Sequence, residues 1–298
     1  MFVVLSVAVF WRPLNTLVAL SIQDEKYSHI LLIPIISVCV AYVQRKIIFI
    51  ESRYCPAVGI PAIAAGLLLG ALGNQWSLDQ NDRLSLMVSA LLLVWIAAFI
   101  LCFGIPSLQA ALFPLLFLLL MIPIPTVLLD KIVFVLQKGS AVAAYCLFKL
   151  LGMPVLWRGF QFSLPGVDIE IAKECSGIRS SMALFITGTL AGHYFLQTGW
   201  KKAALVLLTV PIAILKNAAR IVTISSLGVY VDQGYLTGRL HHKGGFVFSI
   251  LALAILVPSL ILLQRSENNA RGKTPTNVSS GDAGMETEGY IVSGAHKG

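Results

Sequence analysis

The sequence predicts an all-α fold, a polytopic membrane helical bundle of about eight transmembrane helices with a small extracytoplasmic β-hairpin. Of its 298 residues, 57% are hydrophobic and only 12% are charged, and a soluble domain has about twice that charged fraction. The apolar residues form blocks of about 17–25, which is the length a helix needs to cross ~30 Å of hydrocarbon. Lipid is therefore the solvent for most of this fold, and a water-soluble globule is excluded.

Eight blocks have the length and apolarity of membrane spans. They cover about residues 3–21, 28–44, 56–74, 84–103, 106–122, 177–197, 203–227 and 244–263. The first block has no basic leader and no small-residue cleavage site, which predicts a retained span. Gly66 and Gly70 are four residues apart, as are Gly188 and Gly192. This spacing predicts close approach of neighbouring helices.

Three clusters of Lys and Arg predict the topology. They follow the second span (Arg45, Lys46, Arg53), the sixth span (Lys201, Lys202) and the eighth span (Arg265, Arg271, Lys273). An even number of spans separates each pair of clusters, so all three can be cytoplasmic, as positively charged loops usually are. The acidic loops at 23–25 and 79–82 are then predicted on the extracytoplasmic side, as is the stretch 123–176, and both termini are predicted in the cytoplasm.

Charge and cysteine usage exclude several partners. The formal net charge of +8 comes mostly from short loops, where Lys and Arg orient a membrane protein. The lipid bilayer is therefore the predicted partner and nucleic acid is not. The five cysteines have spacings that match no zinc pattern, so no metal, no cofactor and no disulfide scaffold is predicted.

The segments outside the spans have three predicted forms. The stretch 126–151 is apolar but holds four charged residues. A ninth span there would invert the sixth span, so that Lys201 and Lys202 would no longer lie on the cytoplasmic side. The stretch is therefore predicted as an amphipathic or re-entrant helix at the outer interface. Residues 157–171 alternate around a Pro-Gly pair, which predicts the β-hairpin. One domain at 1–263 and a disordered cytoplasmic tail at 264–298 complete the prediction.

Cys175 stands directly before the sixth span. Free N–H groups and the helix dipole at such a position lower the pKa of a thiol and favour the thiolate, and Arg179 adds positive charge one turn later. Ser176 is predicted as the helix N-cap, and Gly177 as a point where another backbone approaches. By position alone, a small residue at a helix start explains Cys175 equally well.

Arg220 lies in the seventh span, eighteen residues after Lys202, or about 27 Å along a helix. That distance brings it to the outer side. A charge at this depth is costly in lipid and predicts function. Asn217 shares its helical face, which argues against a snorkelling arginine. Lys216 fits a plain interface anchor.

His241 and His242 precede the eighth span, again on the outer side. An imidazole can act there as general base and then acid, although an interfacial charge cluster explains the pair better in isolation. Cys175, Arg220 and His241 are nevertheless predicted at one membrane depth on three consecutive helices, which are expected to be neighbours. A thiol, an imidazole and a guanidinium suit acyl transfer. A serine mechanism is weaker, because no Asp–His pair can be placed beside Ser176.

Three sequence blocks resemble the signatures of a known family. They are 174–178 (Glu-Cys-Ser-Gly-Ile), 217–221 (Asn-Ala-Ala-Arg-Ile), and His241 with Gly245 and Phe248 after it. Together they are similar to the signature blocks of the exosortase/archaeosortase family. The similarity extends to 27–29 (Tyr-Ser-His) and 123–125 (Pro-Ile-Pro), and so covers about residues 20–263.

The resemblance implies a cysteine protease or transpeptidase of the bacterial inner membrane, with its active site on the periplasmic face. Its substrates would be exported, membrane-anchored proteins that end in a PEP-CTERM-like sorting signal, linked to exopolysaccharide or surface-protein biogenesis. Such a signal has a Pro-Glu-Pro-type motif, a hydrophobic helix and a basic tail. The sequence departs from some members of the family in that no additional C-terminal domain is predicted, so a core-only form is expected.

The resemblance further implies a role for each matching residue. Cys175 would be the nucleophile, Arg220 the carbonyl or oxyanion stabiliser, and His241 the proton shuttle. His241 is preferred to its neighbour because the family's Gly and Phe follow their His by four and seven residues. The residues implied as supporting or substrate-binding are Glu174, Ser176, Asn217 and His242.

Two other classes of function remain open. A transporter or export component of a polysaccharide pathway would carry its charges at mid-span along a pathway, whereas the charges here cluster at one face. A non-catalytic assembly scaffold would tolerate replacement of Cys175, Arg220 and His241.

Overall fold

The computed structural model describes residues 2–232, 234 and 245–272, with the backbone alone for residues 2–4, 174, 175, 245 and 270–272. Its helices are α1 (Phe2–Val9), α2 (Trp11–Gln23), α3 (Leu32–Val43), α4 (Arg45–Ile48), α5 (Pro56–Gly73), α6 (Gln80–Ala110), α7 (Leu112–Phe117), α8 (Thr126–Leu150), α9 (Ile178–Phe195), α10 (Gly199–Tyr230) and α11 (Gly245–Gly272). Short 3₁₀ helices cover Glu25–Tyr27, Leu118–Met121 and Lys173–Ser176. The three strands are β1 (Leu156–Arg158), β2 (Gln161–Leu164) and β3 (Val167–Glu170). The predicted all-α class with a small sheet is confirmed.

Within the described ranges, five helical segments are long and apolar enough to cross a membrane. They are Glu25–Val43, α5, α6, α10 and Phe246–Asn269. A sixth span results if Leu112–Met121 and α8 are counted together. The first predicted span is instead divided into α1 and α2, and α9 is helical where a span was predicted but carries more polar residues. A count of eight spans therefore stays a prediction.

The predicted fourth and fifth spans meet at a bend inside α6. Gly104 has a φ of 80°, and a Cβ at this position would overlap the carbonyl oxygen of Arg53. The amides of Arg53 and Cys55 donate to the carbonyls of Phe103 and Leu101, both at 3.1 Å. The loop before α5 therefore uses helix carbonyls at the bend, which explains why the chain can turn there.

Glycines allow the closest helix contacts. A Cβ at Gly59 would lie 2.6 Å from the Cβ of Leu101, and one at Gly66 would lie 2.8 Å from Val94. These contacts join α5 to α6. A Cβ at Gly188 would lie 2.7 Å from Thr209, which joins α9 to α10. The close approach predicted from the Gly spacing is confirmed.

The segment between α7 and α9 forms a cover over α10. α8 turns by 89° from Leu112–Met121 and packs along α10. The predicted hairpin corresponds to β2 and β3, with Gly166 at φ 76° in its turn, and β1 extends it to an antiparallel three-stranded sheet. Phe148 of α8 and Phe162 of β2 are fully buried, with ring centroids 5.6 Å apart. The sheet is thus anchored to α8 by apolar packing, and the position of α8 relative to the membrane stays a prediction.

The acidic loops meet at one end of the bundle. Arg179, in the first turn of α9, pairs with Glu25 at 2.5 Å. The hydroxyl of Tyr27 donates to Asn81 at 3.1 Å, and the Asn81 amide donates to the carbonyl of Ile124 at 2.9 Å. The segment before α3, the first turn of α6 and the loop before α8 are therefore neighbours.

The basic clusters meet at the opposite end. Gln44, after α3, is hydrogen-bonded to His193, near the end of α9, at 2.8 Å. The carboxylate of Glu267 accepts hydrogen bonds from the backbone and side chain of Thr198, before α10. The ammonium of Lys201 donates to Ser266 at 3.3 Å. The predicted separation of acidic and basic loops agrees with these contacts, and which end faces the cytoplasm stays a prediction.

The last helix passes the predicted domain boundary between residues 263 and 264. α11 continues to Gly272, because Glu267 and Ser266 hold it against the start of α10. The predicted disorder is therefore wrong for residues 264–272. The rest of the predicted tail, 273–298, lies outside the described residues.

Candidate active site

The turn that bears Cys175 has an unusual backbone. The 3₁₀ helix Lys173–Ser176 ends at Gly177, which has φ 75° and ψ 17° and is itself the N-cap of α9. Glycine adopts this left-handed conformation without steric cost. The Gly177 carbonyl accepts hydrogen bonds from the hydroxyls of Ser180 and Ser181 at 3.0 and 2.9 Å. The thiol-bearing turn is thus held from inside the first turn of α9.

The prediction that Ser176 caps α9 is wrong. Ser176 belongs to the 3₁₀ helix, and no side-chain hydrogen bond caps α9. Ser176 is 1% exposed. Its hydroxyl has no hydrogen-bond partner among the described residues. A buried hydroxyl without a partner is unfavourable, so Ser176 marks a polar position beside Cys175 that the described fold leaves unused.

Asn217 of α10 lies directly against this turn. A Cβ at Gly177 would be 3.2 Å from both the Cγ and the Oδ1 atom of Asn217. The close approach predicted at Gly177 is confirmed, but its neighbour is a side chain instead of a backbone. Asn217 is buried, and its amide donates to the hydroxyl of Ser140 in α8 at 3.0 Å. One side chain therefore connects α8, α9 and α10 beside Cys175.

Arg220 follows Asn217 by three residues on the same face of α10, or about 4.5 Å further along the helix axis. It is partly buried. Since Asn217 contacts Gly177, Arg220 is about one helical turn along α10 from that contact. The structure thus brings together two of the three predicted blocks.

Lys216 is the site residue that sequence reasoning misjudged. It is 3% exposed, and its ammonium donates to the hydroxyl of Ser180. The interpretation as an interface anchor is wrong, because an anchor reaches out to lipid headgroups whereas Lys216 points to α9. Its position, fourteen residues after Lys202 and thus about 21 Å into a helix, could have indicated function by the same argument as for Arg220.

Gln137 of α8 was also missed. It is buried, and its amide donates to the carbonyl of Ile171 at the end of β3. Lys173 and Asp130 form a second link at 3.8 Å, but both side chains are exposed, so this pair contributes little. Gln137 therefore fixes the point where the chain leaves the sheet and enters the thiol-bearing turn.

The predicted charge of Arg179 near Cys175 is compensated. Arg179 and Glu25 pair with exposed side chains, so the guanidinium has its own counter-ion. The segments Tyr27-Ser28-His29 and 123–125 meet through Asn81, and Ser85 donates to the Pro123 carbonyl at 2.6 Å. The two minor segments of the family resemblance are therefore neighbours, at the same end of the bundle as Cys175.

The third block is only partly described. His241 and His242 lie outside the described residues, as do the side chains of Glu174 and Cys175. α11 begins at Gly245, four residues after His241, and packs against α9 and α10. Phe248, the last residue of the block, is buried. Among the described residues, no group of three or more His, Cys, Asp or Glu could hold a metal ion.

Fold and site define a multi-pass helical membrane protein with a thiol-bearing turn packed on a buried, charged helix face. A protein-family model described as transmembrane exosortase matches residues 20–258. The chain belongs to this family. Membership implies a membrane peptidase or transpeptidase in general terms. No curated protein and no solved structure matches the chain significantly.

Proposed function

We propose that this protein is a membrane cysteine protease or transpeptidase that cleaves PEP-CTERM-like sorting signals of exported proteins. The proposal is carried by the contact between Gly177 and Asn217. This contact supports the proposal, because Gly177 is two residues after Cys175 and Asn217 shares its helical face with Arg220. Family membership adds a general peptidase or transpeptidase chemistry to that geometry.

Each of the three residues has one step in the proposed reaction. The Cys175 thiolate attacks the carbonyl carbon of the scissile peptide bond, and the guanidinium of Arg220 stabilises the oxyanion. His241, which has taken the thiol proton, gives it to the leaving amine as the C–N bond breaks. Water or an acceptor amine then attacks the thioester, loses a proton to His241 and releases Cys175.

The arrangement of the two ends of the bundle supports this substrate class. A hydrophobic helix with a basic tail places that tail on the cytoplasmic side. A motif before the helix then emerges on the opposite side. In the structure, the thiol-bearing turn lies at the end opposite to the basic clusters. The proposed location is the bacterial inner membrane, with the site on the periplasmic face and a link to exopolysaccharide or surface-protein biogenesis.

A reporter protein with a Pro-Glu-Pro-type motif, a hydrophobic helix and a basic tail tests the function. Co-expression with the wild-type protein should shorten the reporter on an immunoblot. Cys175→Ala, Arg220→Ala and His241→Ala should each abolish processing while the protein remains in the membrane fraction. Cys146→Ala is the matched control, because Cys146 is an exposed thiol on α8. Processing by Cys175→Ala in a host without a second homologous protein would contradict the proposal.

A further inference from the structure

Lys216 is a buried cation without an anion in the described part of the chain. No carboxylate there lies within 4 Å of its ammonium, and its hydrogen bond goes to the neutral hydroxyl of Ser180. The buried Lys201 on the same helix differs, because it bonds to Ser266 beside the carboxylate of Glu267. A buried charge is strongly unfavourable unless an opposite charge compensates it. An anion near Lys216 would compensate this charge.

Lys216 is connected to the turn of Cys175 through Ser180. The hydroxyl of Ser180 accepts from Lys216 and donates to the carbonyl of Gly177 at 3.0 Å. Two hydrogen bonds thus connect the ammonium to the carbonyl of Gly177. Gly177 follows Cys175 by two residues. The free N–H groups at the start of α9 add positive potential at the same place.

The other charged groups around this turn leave few candidates for the missing anion. Two pairs satisfy each other at the surface, Arg179 with Glu25 and Lys173 with Asp130. Arg220 is one helical turn from Lys216 and has the same sign of charge, so it does not serve as that anion. In the segment 173–180, the remaining acidic groups are the carboxyl of Glu174 and the thiol of Cys175.

We propose that Lys216 is a positioning residue whose ammonium, held by Ser180, stabilises the thiolate of Cys175 as its counter-charge. Ionisation breaks the S–H bond, leaves the electron pair on sulfur, and gives the proton to solvent or to His241. The inference rests on the proposed function only in treating Cys175 as the nucleophile. Its test follows the thiol itself and needs no substrate.

The test is the pH dependence of alkylation. The full-length protein in nanodiscs is treated with iodoacetamide between pH 5 and pH 10, and modification of Cys175 is followed by mass spectrometry of its peptide. Because the thiolate is the reactive form, the midpoint of the rate profile reports its ionisation. Lys216→Met should raise that midpoint by about one pH unit, so that alkylation below both midpoints slows about tenfold. The same digests report Cys39, Cys55, Cys102 and Cys146, whose profiles should not change.

Three variants separate charge from structure. Lys216→Arg keeps the positive charge and should stay near the wild-type midpoint. Ser180→Ala removes the bridging hydroxyl but keeps the ammonium, and should raise the midpoint by less than Lys216→Met does. Lys138→Met removes an exposed lysine of α8 and should have no effect. If Lys216 had only a structural role, the midpoint for Cys175 would not rise in the order Lys216→Arg, Ser180→Ala, Lys216→Met.

Two outcomes overturn the inference. One is an unchanged Cys175 midpoint in a folded Lys216→Met protein or, if that variant does not fold, in Ser180→Ala. The other is a Lys216→Met effect that disappears in a Glu174→Gln background, which assigns the ammonium to Glu174. Loss of reporter processing with a normal Lys216 effect on alkylation would instead contradict the proposed function alone.

Discussion

At the scale of single residues, Gly177 is the most constrained position of the site. It combines a φ of 75° with the contact of Asn217, so any side chain there is both strained and crowded. Gly177→Ala should lower stability by about 1–2 kcal/mol and slow reporter processing at least tenfold, as measured by thermal unfolding in detergent and by immunoblot. Gly199→Ala, at a glycine with no neighbour within 4 Å of an added Cβ, is the control. A Gly177→Ala protein with full activity would show that the turn is not fixed by this glycine.

The Asn217–Ser140 hydrogen bond can be measured directly. Removing either partner takes one hydrogen bond away from a buried group, which is costly. A double-mutant cycle with Asn217→Ala and Ser140→Ala should give a coupling free energy of about 0.5–1.5 kcal/mol. Asn217→Ala combined with Ser259→Ala, an exposed position on α11, should instead be additive. Additivity of the first pair would mean that the bond does not hold α8 to α10.

Part of the candidate site was selected from the sequence because its chemistry is unusual in an apolar chain. Cys175 is a thiol among polar residues, Arg220 is a charge within a span, and Asn217 shares the helical face of Arg220. Gln137 and Ser140 were missed because an uncharged polar residue indicates nothing until the rotation of its helix is known. Ser176 was predicted as the cap, but Gly177 takes that position. The conformation of Gly177 goes with its contact to Asn217, 40 residues later in the sequence, which no local pattern shows.

At the scale of elements, the start of α8 depends on the first turn of α6. The carboxylate of Asp82 accepts from the amide of Thr126 at 2.7 Å, and Asn81 donates to the Ile124 carbonyl and to Thr126. Asn81→Ala should loosen the first turn of α8, because a backbone carbonyl and a side chain lose their donor. Hydrogen exchange should become faster at residues 126–130 and remain unchanged in α5. Gln80→Ala, at the exposed neighbouring position, is the control, and equal exchange in both variants would contradict the link.

Element boundaries were predictable where they follow local apolarity and not where they depend on distant contacts. The bend at Gly104 accompanies the hydrogen bond from Arg53 to the carbonyl of Phe103. The extension of α11 to Gly272 depends on the contact of Glu267, in α11, with Thr198 before α10. The strand β1 has only three residues, too few to show an alternating pattern. The Pro-Gly turn between β2 and β3, by contrast, is a local feature and was located correctly.

At the scale of the whole molecule, the two ends of the bundle give an accessibility prediction. Ser77 lies in the loop before α6, near Asp79, and Ser52 lies within the first basic cluster, next to Arg53; both are exposed. In a cysteine-free background, a membrane-impermeant maleimide should label Ser77→Cys in intact spheroplasts. It should label Ser52→Cys only after lysis. The reverse pattern would place the turn of Cys175 on the cytoplasmic side.

The relative positions of the ends were predictable because charge in loops is a global constraint that a single sequence displays. The number of spans was harder to predict. α9 is short and carries polar residues, since it is largely enclosed by α10 and α11, so apolarity alone does not identify it. α8 combines the length of a span with exposed charges, and only its packing on α10 shows its place in the fold.

The buried hydrogen bonds of α10 also determine the order in which the chain can be assembled. A Lys or Arg in the middle of a helix opposes insertion by about 2.5–3.5 kcal/mol, and α10 carries Lys216 and Arg220 together. Lys216 and Asn217 of α10 donate hydrogen bonds to the hydroxyls of Ser180 and Ser140. These two acceptors belong to α9 and α8, which leave the ribosome before α10. The synthesis order therefore supplies the acceptors before the donor helix arrives. A circular permutant in which α10 precedes α8 would have to insert these charges without partners.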